Sequence, residues 1–425
     1  MKRLLFSVLV GWSSLNATTM DELFSSLQKQ PVSQMDNLNA KMANVSQKKV
    51  VSGYYPTIDL FASYAHYNSP SSLKPIDPIE TGKLIAKGEP IPFSTTIEKV
   101  GVKFSMPLFM RELSSLSKKA KYLAKSAKIK KKINFYQNEA LLLGANASLE
   151  YLDNLLVAMH STQKSLQNTK KDIVISVNSG RMAGIELDKI NEKLNQLEIS
   201  INDVSIKRLN LVSQIAQLTD ITLKHSVSME LVADVDKNDF ILLKPLRSSL
   251  KASSCDLEAS KQKRYYPKAF LNGVYTRSYA QDNPQDSRDL EEDFGYYEVV
   301  LSVPLFNKKD SVDVELKKVA LLKSKMNLNK VEQELKYQVK AIEDELVLLK
   351  KSKKLNKKNI ANKQNLLDYA KVSFTEGRMT QEDYLRYEDD LLDAKSAYFN
   401  IVSKIWQDMG KLAVMYGVDL KEIVR

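Results

Sequence analysis

Apolar residues recur along this chain at two different periods. Ile58, Leu60, Ala62 and Tyr64 alternate with Thr57, Asp59 and Ser63, and Val100, Val102, Phe104 and Met106 alternate with Lys99, Gly101, Lys103 and Ser105. Two further sets, Ala269, Leu271, Gly273, Tyr275 and Tyr297, Val299, Leu301, Val303, keep the same period of two. Such alternation predicts strands with one apolar and one wet face, over about 56–67, 97–107, 268–279 and 296–304. Elsewhere the period is helical. Leu187, Ile190, Leu194, Leu197, Ile201, Val204, Leu211, Ile215 and Leu218 fall in steps of three and four, with Arg208 in one skipped position. Leu328, Val331, Leu335, Ile342, Leu346 and Leu349 carry the same rhythm. No Gly or Pro interrupts the run from Asn307 to Glu376, so a single helix on the order of 100 Å is expected there.

These elements occur twice. Gly180-Arg181-Met182 recurs 197 residues on as Gly377-Arg378-Met379, and Pro107-Leu108-Phe109 recurs at the same offset as Pro304-Leu305-Phe306. Tyr54-Tyr55-Pro56 recurs at an offset of 211 as Tyr265-Tyr266-Pro267, so the first half carries an insertion of 14 residues between its strands. The chain reads as a tandem duplication. The expected order is a leader over 1–17, a first repeat over 18–220, a connecting segment 221–242, a second repeat over 243–416 and a tail 417–425. Each repeat is helix, strand, exposed loop, strand, very long helix, tight turn and heptad helix, with the turns near 177–184 and 374–380. The stretch 68–96, rich in Pro, Ser and Gly, and the acidic stretch 280–295 read as the exposed loops.

Composition narrows the class. Only 13 Gly and 12 Pro in 425 residues disfavour a loop-rich or conventional all-β protein, while 43% apolar residues exclude wholesale disorder. A lone cysteine, Cys255, excludes a disulfide framework and a Cys-based zinc site, and His66, His160 and His225 lie too far apart to suggest a metal centre. No apolar run approaches the ~20 residues of a spanning helix, which leaves a soluble, peripheral or β-barrel protein. Met1-Lys2-Arg3 followed by Leu4–Val10 has the form of a signal peptide, with cleavage near Asn16-Ala17-Thr18, against the alternative of a buried N-terminal helix. Four strands cannot close a membrane barrel, which needs at least about eight, and open edges are not tolerated in lipid. Several chains must therefore share one barrel, continued by their long helices as a coiled tube.

That arrangement resembles the TolC-like outer-membrane efflux proteins over essentially the whole mature chain. The matching features are Tyr-Tyr-Pro before the outgoing strands, Pro-Leu-Phe closing the returning strands, and the turns Val177-Asn178-Ser179-Gly180 and Phe374-Thr375-Glu376-Gly377. The resemblance implies a homotrimer in the outer membrane of a Gram-negative bacterium, with a shared twelve-stranded barrel and a periplasmic helical tunnel. It implies a passive exit duct, working with a periplasmic adaptor and an inner-membrane pump of the RND or ABC type, for drugs, metals or proteins. No enzyme activity and no cofactor are expected: the chain has no Walker-type loop, no Gly-x-Ser-x-Gly and no His-Glu-x-x-His. The competing class is a periplasmic coiled-coil adaptor, which the duplicated strand pairs disfavour. A cytosolic basic coiled-coil protein is a third, and requires that the N-terminus not be a signal.

By the resemblance, Val177, Asn178, Gly180, Arg181, Phe374, Gly377 and Arg378 lie at the periplasmic tip, where an adaptor docks. Glu186 and Asp383, each six residues past a Gly, are candidates for acidic rings at the aperture, with Arg386 where a further acid is expected. The alternative for both acids is a helix start that favours carboxylates at its positive end. The family's aperture lock places a Tyr and an Arg where this chain has Phe374 and Met379, so Arg378 is expected to pair with Glu186 instead. The lysines 118, 119, 121, 125, 128 and 130–132 read first as a solvated face, then as neighbours of anionic lipid, and nucleic acid is not expected. The acids Asp282, Asp286, Asp289, Glu291, Glu292 and Asp293 read as a solvated loop, His66 as an interfacial residue and Cys255 as packed in a helix.

Overall fold

The computed structural model describes residues 18–280 and 289–425; the expected leader, Asp282 and Asp286 lie outside them. In chain order the elements are α1 (Met20–Leu27), α2 (Pro31–Ser52), β1 (Thr57–Ser72), α3 (Pro78–Lys87), β2 (Phe93–Met110), α4 (Arg111–Asn178) and α5 (Ile185–Thr219). There follow α6 (Leu243–Tyr265), β3 (Lys268–Ala280), β4 (Leu290–Ser302), α7 (Lys308–Thr375), α8 (Gln381–Tyr416) and α9 (Leu420–Ile423). Helices α4 and α7 each run for 68 residues, α7 filling the stretch without Gly or Pro. No described helix is long and apolar enough to cross a membrane.

The chain divides into two compact units, each drawing on both halves of the sequence. One holds Ala40–Ala127 and Pro245–Asn329 and contains the sheet, antiparallel in the order β1-β2-β3-β4. Its register brings the expected apolar sets onto one face: Leu60 stands opposite Val102, Val102 opposite Tyr275, and Leu271 opposite Val299. That face is bare, with Leu60 78% and Tyr297 85% exposed. The other face is wet. There Ser105 donates to Asn272 Oδ1 at 2.9 Å and Asn272 donates to Glu298 Oε1 at 3.2 Å, a polar row across three strands. On the same face Phe61 lies over Gly101, its direct cross-strand partner, and Lys103 Nζ sits 4.5 Å from the Phe61 ring centre. A Cβ at Gly101 would meet the Tyr275 carbonyl at 2.4 Å, so only glycine fits.

The second unit takes the described residues up to Asn39, with Lys128–Lys244 and Lys330–Arg425. Its cores are heptad seams. Ile190, Leu197, Ile201 and Val204 of α5 pack with Leu166 and Ile173 of α4, Leu367 and Phe374 of α7, and Tyr384 and Leu391 of α8. A second cluster gathers Met20, Leu23 and Phe24 of α1 with Leu142 and Leu149 of α4, Ile215 of α5 and Ile423 of α9. The skipped heptad position has a cause: Arg208 bonds Asp153 Oδ1 at 2.6 Å and also the carbonyl of Lys224, which ties α5 to α4 and to the segment after α5.

The connections differ from expectation. Within 68–96, β1 continues past an irregularity after His66 to Ser72, and the segment carries α3 rather than loop alone. Asp77 caps α3 by accepting from Glu80 N at 2.7 Å, Pro78 opens it, and Gly88 at φ 67° closes it. These residues are punctuation for a short helix, although their composition reads as loop. β4 starts at Leu290, so Glu291, Glu292 and Asp293 are strand residues, held by Arg277 and by Lys74, whose Nζ lies 2.8 Å from Glu292. His66 lies in β1 and bonds Thr96 Oγ1 at 3.0 Å, and Cys255 is half-buried in α6.

Candidate functional site

Both tip turns are built the same way. Gly180 takes φ 70° and donates to the Val177 carbonyl at 2.9 Å, while Arg181 N reaches back to Ser176 O at 2.8 Å. Gly377 takes φ 69° and donates to Phe374 O at 3.0 Å, with Arg378 N bonded to Ser373 O at 2.8 Å. This pairing of an i−3 and an i−5 bond around a left-handed residue is the Schellman closure of a helix. A Cβ on either glycine would meet nothing within 4 Å, so the backbone sign, and not crowding, demands glycine.

The turn side chains are mostly exposed. Asn178, Arg181 and Arg378 face solvent and Val177 is half-buried. Phe374 is the exception: it is buried and stacks on Tyr384 with ring centres 5.1 Å apart and planes 16° apart. The substitution of Phe at this position therefore serves the bundle core.

The expected pairing of Arg378 with Glu186 is not formed within the chain. Arg378 Nε lies 3.2 Å from Glu376 Oε2, a neighbour across the same tight turn, and Glu186 lies 3.2 Å from Lys189 Nζ, one helical turn along α5. Local partners at i−2 and i+3 win because they need no ordering of a second loop. Asp383 pairs with Arg386 at 3.1 Å and takes part in the cap of α8, where its N–H donates to Thr380 Oγ1 at 3.2 Å and Thr380 Oγ1 donates to its carboxylate at 2.8 Å. Both acids thus stand at helix starts, Asp383 within the cap of α8 and Glu186 in the first turn of α5.

Three features at this end were not expected from the pattern. Gln381, 5% exposed, donates to the backbone carbonyl of Glu186 at 3.1 Å and so joins the starts of α5 and α8. Glu388, 3% exposed, accepts from Tyr384 Oη at 2.7 Å and from Ser165 Oγ at 2.6 Å; Thr169 donates to Tyr384 Oη at 3.4 Å. Burial pushes the Tyr384 phenol up to about 12, so it stays a donor at any physiological pH. The next two acids go elsewhere: Asp389 to Lys193 of α5 at 2.5 Å and Asp390 to Lys363 of α7 at 2.6 Å. Glu388, Asp389 and Asp390 fall between the stripe residues Tyr387 and Leu391, so the heptad spacing alone does not single out Glu388 as the buried acid. Among the described residues no group of three or more His, Cys, Asp or Glu is placed to hold a metal ion.

No family model matches the chain, and no curated protein matches it in sequence. Solved structures do match it in fold. The outer membrane protein VceC from Vibrio cholerae superposes with a TM-score of 0.76 at 13% identity, covering 94% of this chain and 97% of that one. The Campylobacter jejuni CmeC outer membrane channel gives 0.75 at 13% identity, over 98% and 93% of the two chains. The open state of the Neisseria gonorrhoeae MtrE outer membrane channel gives 0.75 at 13% identity, over 94% and 88%. With four strands in one antiparallel sheet and two helical hairpins each pairing a 68-residue helix with a shorter one, this chain has the fold of the TolC-like outer-membrane channels.

Proposed function

We propose that three copies of this chain form an outer-membrane channel that acts as the passive exit duct of a tripartite efflux or secretion machine. The observation that carries the reading is the sheet. Its outer strands β1 and β4 each have one partner among the described residues, and its apolar face is bare. Four strands cannot close, and neither a free edge nor a half-closed sheet survives in lipid. Pairing β4 of one copy with β1 of the next closes twelve strands, puts Ile58, Leu60, Val299 and Leu301 against acyl chains, and turns the polar row of Ser105, Asn272 and Glu298 inward.

The duct itself does no chemistry. Its strand face offers water-like hydrogen bonds to whatever passes, and the energy for transport comes from an inner-membrane pump. The tips formed by Val177–Arg181 and Phe374–Arg378 dock the periplasmic adaptor, with Arg181 and Arg378 as the exposed charges available to it. Glu186 and Asp383 ring the aperture, each partly neutralised by its own neighbour, Lys189 or Arg386. Cation preference is accordingly weak.

The test is the mass of the protein extracted from membranes. A species that leaves the membrane only in detergent, at three times the mass of the processed chain, supports the channel. A chain that is soluble without detergent refutes the shared barrel.

A further inference from the structure

The antiparallel sheet puts its four junctions with α2, α4, α6 and α7 at one edge: the start of β1, the end of β2, the start of β3 and the end of β4. Every junction carries an exposed aromatic residue. Tyr55 precedes β1, Phe109 lies near the end of β2, Tyr265 precedes β3 and Phe306 follows β4, at 67%, 44%, 61% and 88% exposure. Every junction also carries cations: Lys49 in the last turn of α2, Arg111 opening α4, Lys261 and Arg264 in the last turns of α6, Lys308 and Lys309 opening α7. Arg111 lies 4.5 Å from the Tyr266 ring centre and Arg264 4.8 Å from that of Tyr265, so cation and aromatic sit together.

The acids at this edge do not balance these charges. Glu112 is buried and taken by Lys268 at 2.6 Å, and Asp310 is buried and taken by Lys263 at 2.9 Å. The six cations above make no ion pair among the described residues. Helix electrostatics does not explain them all either. Arg111, Lys308 and Lys309 occupy first turns, where the helix dipole favours acids. A band of aromatic residues backed by unpaired cations, adjoining a bare apolar face, is the arrangement that headgroups of an anionic bilayer leaflet complement.

We infer that this junction edge is a binding surface for the phosphates of anionic phospholipids in the periplasm-facing leaflet, with the aromatic rings at the acyl boundary and the cations on the headgroups. The inference rests on the channel reading above. It goes beyond that reading because a barrel needs an apolar band, and not a lipid of particular charge.

The experiment uses the full chain extracted in mild detergent. Phosphatidylglycerol or phosphatidylethanolamine with identical acyl chains is added, and bound lipid is counted by native mass spectrometry, alongside the shift in unfolding temperature. The wild type is expected to retain phosphatidylglycerol in preference. K308Q/K309Q is expected to lose about fivefold of that preference per cation removed, the factor a single basic residue gains at an anionic surface. K308R/K309R keeps the preference, and so does K354Q/K357Q, which removes exposed cations far along α7. An unchanged lipid ratio in K308Q/K309Q, with the trimer intact, overturns the inference while leaving the channel standing. Full displacement of phosphatidylglycerol by inorganic phosphate at matched concentration also overturns it, by showing a phosphate site indifferent to lipid. A chain that never required detergent removes both readings, and that result is visible before any lipid is added.

Discussion

Glu139→Gln isolates the cost of one buried acid. Glu139 of α4 is 1% exposed and accepts from the backbone N–H of Leu420 at 3.3 Å. Its carboxyl is also hydrogen-bonded to Asp419, the N-cap of α9. Burial first, and then the nearby Asp419 charge, push its pKa from 4.5 to about 9. The folded protein therefore keeps this proton at neutral pH while the unfolded chain releases it. Stability tied to Glu139 is complete below pH 4.5 and is lost progressively as pH rises to about 9, by about 1.4 kcal/mol per unit. At pH 7 the loss is about 3 kcal/mol, with no discount for solvent screening because the group is enclosed. Glutamine copies the protonated acid: its carbonyl accepts from Leu420 and its amide donates to Asp419. The assay is the unfolding temperature of detergent-solubilised protein from pH 5 to 9, wild type against variant, so that all other titrations cancel. The variant should match the wild type near pH 5 and pull ahead steadily above it. A gap that stays constant with pH, or a variant less stable at pH 8, would show that Glu139 is charged in the fold and the assignment wrong.

Other outcomes follow from the same geometry. Gly180→Ala and Gly377→Ala should each cost about 1 kcal/mol, with Asn costing less, because the strain is of φ alone; thermal unfolding of the four variants checks the order. Glu388→Ala leaves two hydroxyl donors, Tyr384 and Ser165, without their carboxylate and should cost about 3 kcal/mol, whereas Glu388→Gln should recover part of it in the same melt. Gly101→Val drives a side chain into the Tyr275 carbonyl and the Phe61 ring, and should abolish the detergent-extractable trimer seen by size-exclusion light scattering. Arg378→Gln should leave single-channel conductance unchanged because its partner is Glu376, which single-channel current–voltage slopes check; Glu186→Gln together with Asp383→Asn should reduce cation preference, which reversal potentials in a salt gradient check.

The strands and the α5 seam were legible because each is a long repetition of one rule. Four alternate apolar positions per strand fix which face is bare, and a slip of one residue would have put Lys103 and Asp59 among the apolar set. Helix α3 was not legible, since Asp77, Pro78 and Gly88 are the residues of loops and of helix ends alike, and only the chain's path decides between them. The start of β4 was hidden for a different reason. Glu291, Glu292 and Asp293 suit a strand only because Arg277 and Lys74 stand beside them, and cross-strand neighbours are invisible until the register is known. The Arg378–Glu186 pair does not form within the chain because charge opposition alone ignores nearer partners; Glu376 and Lys189 are neighbours in sequence.

The acids 388–390 show how one compositional signal divides into unequal parts once placed. Successive residues on a helix are turned by about 100°, so three adjacent carboxylates face three directions, and α8 has three neighbours to receive them. Asp389 and Asp390 meet Lys193 and Lys363 at the surface, with the carboxylate side chains 45% and 39% exposed. Pairs so well solvated contribute at most about 1 kcal/mol each and weaken in salt. Glu388 has no cation partner among the described residues; it is enclosed and held by two hydroxyl hydrogen bonds, where a lost partner leaves a desolvated group unsatisfied. The buried polar ties of α8 are therefore those of Glu388 to α4 and of Gln381 to α5, and the α7–α8 contact owes its register to the apolar seam of Leu367 and Leu391. High salt should accordingly leave the helical bundle folded, because the charges it screens are not the ones that set the packing.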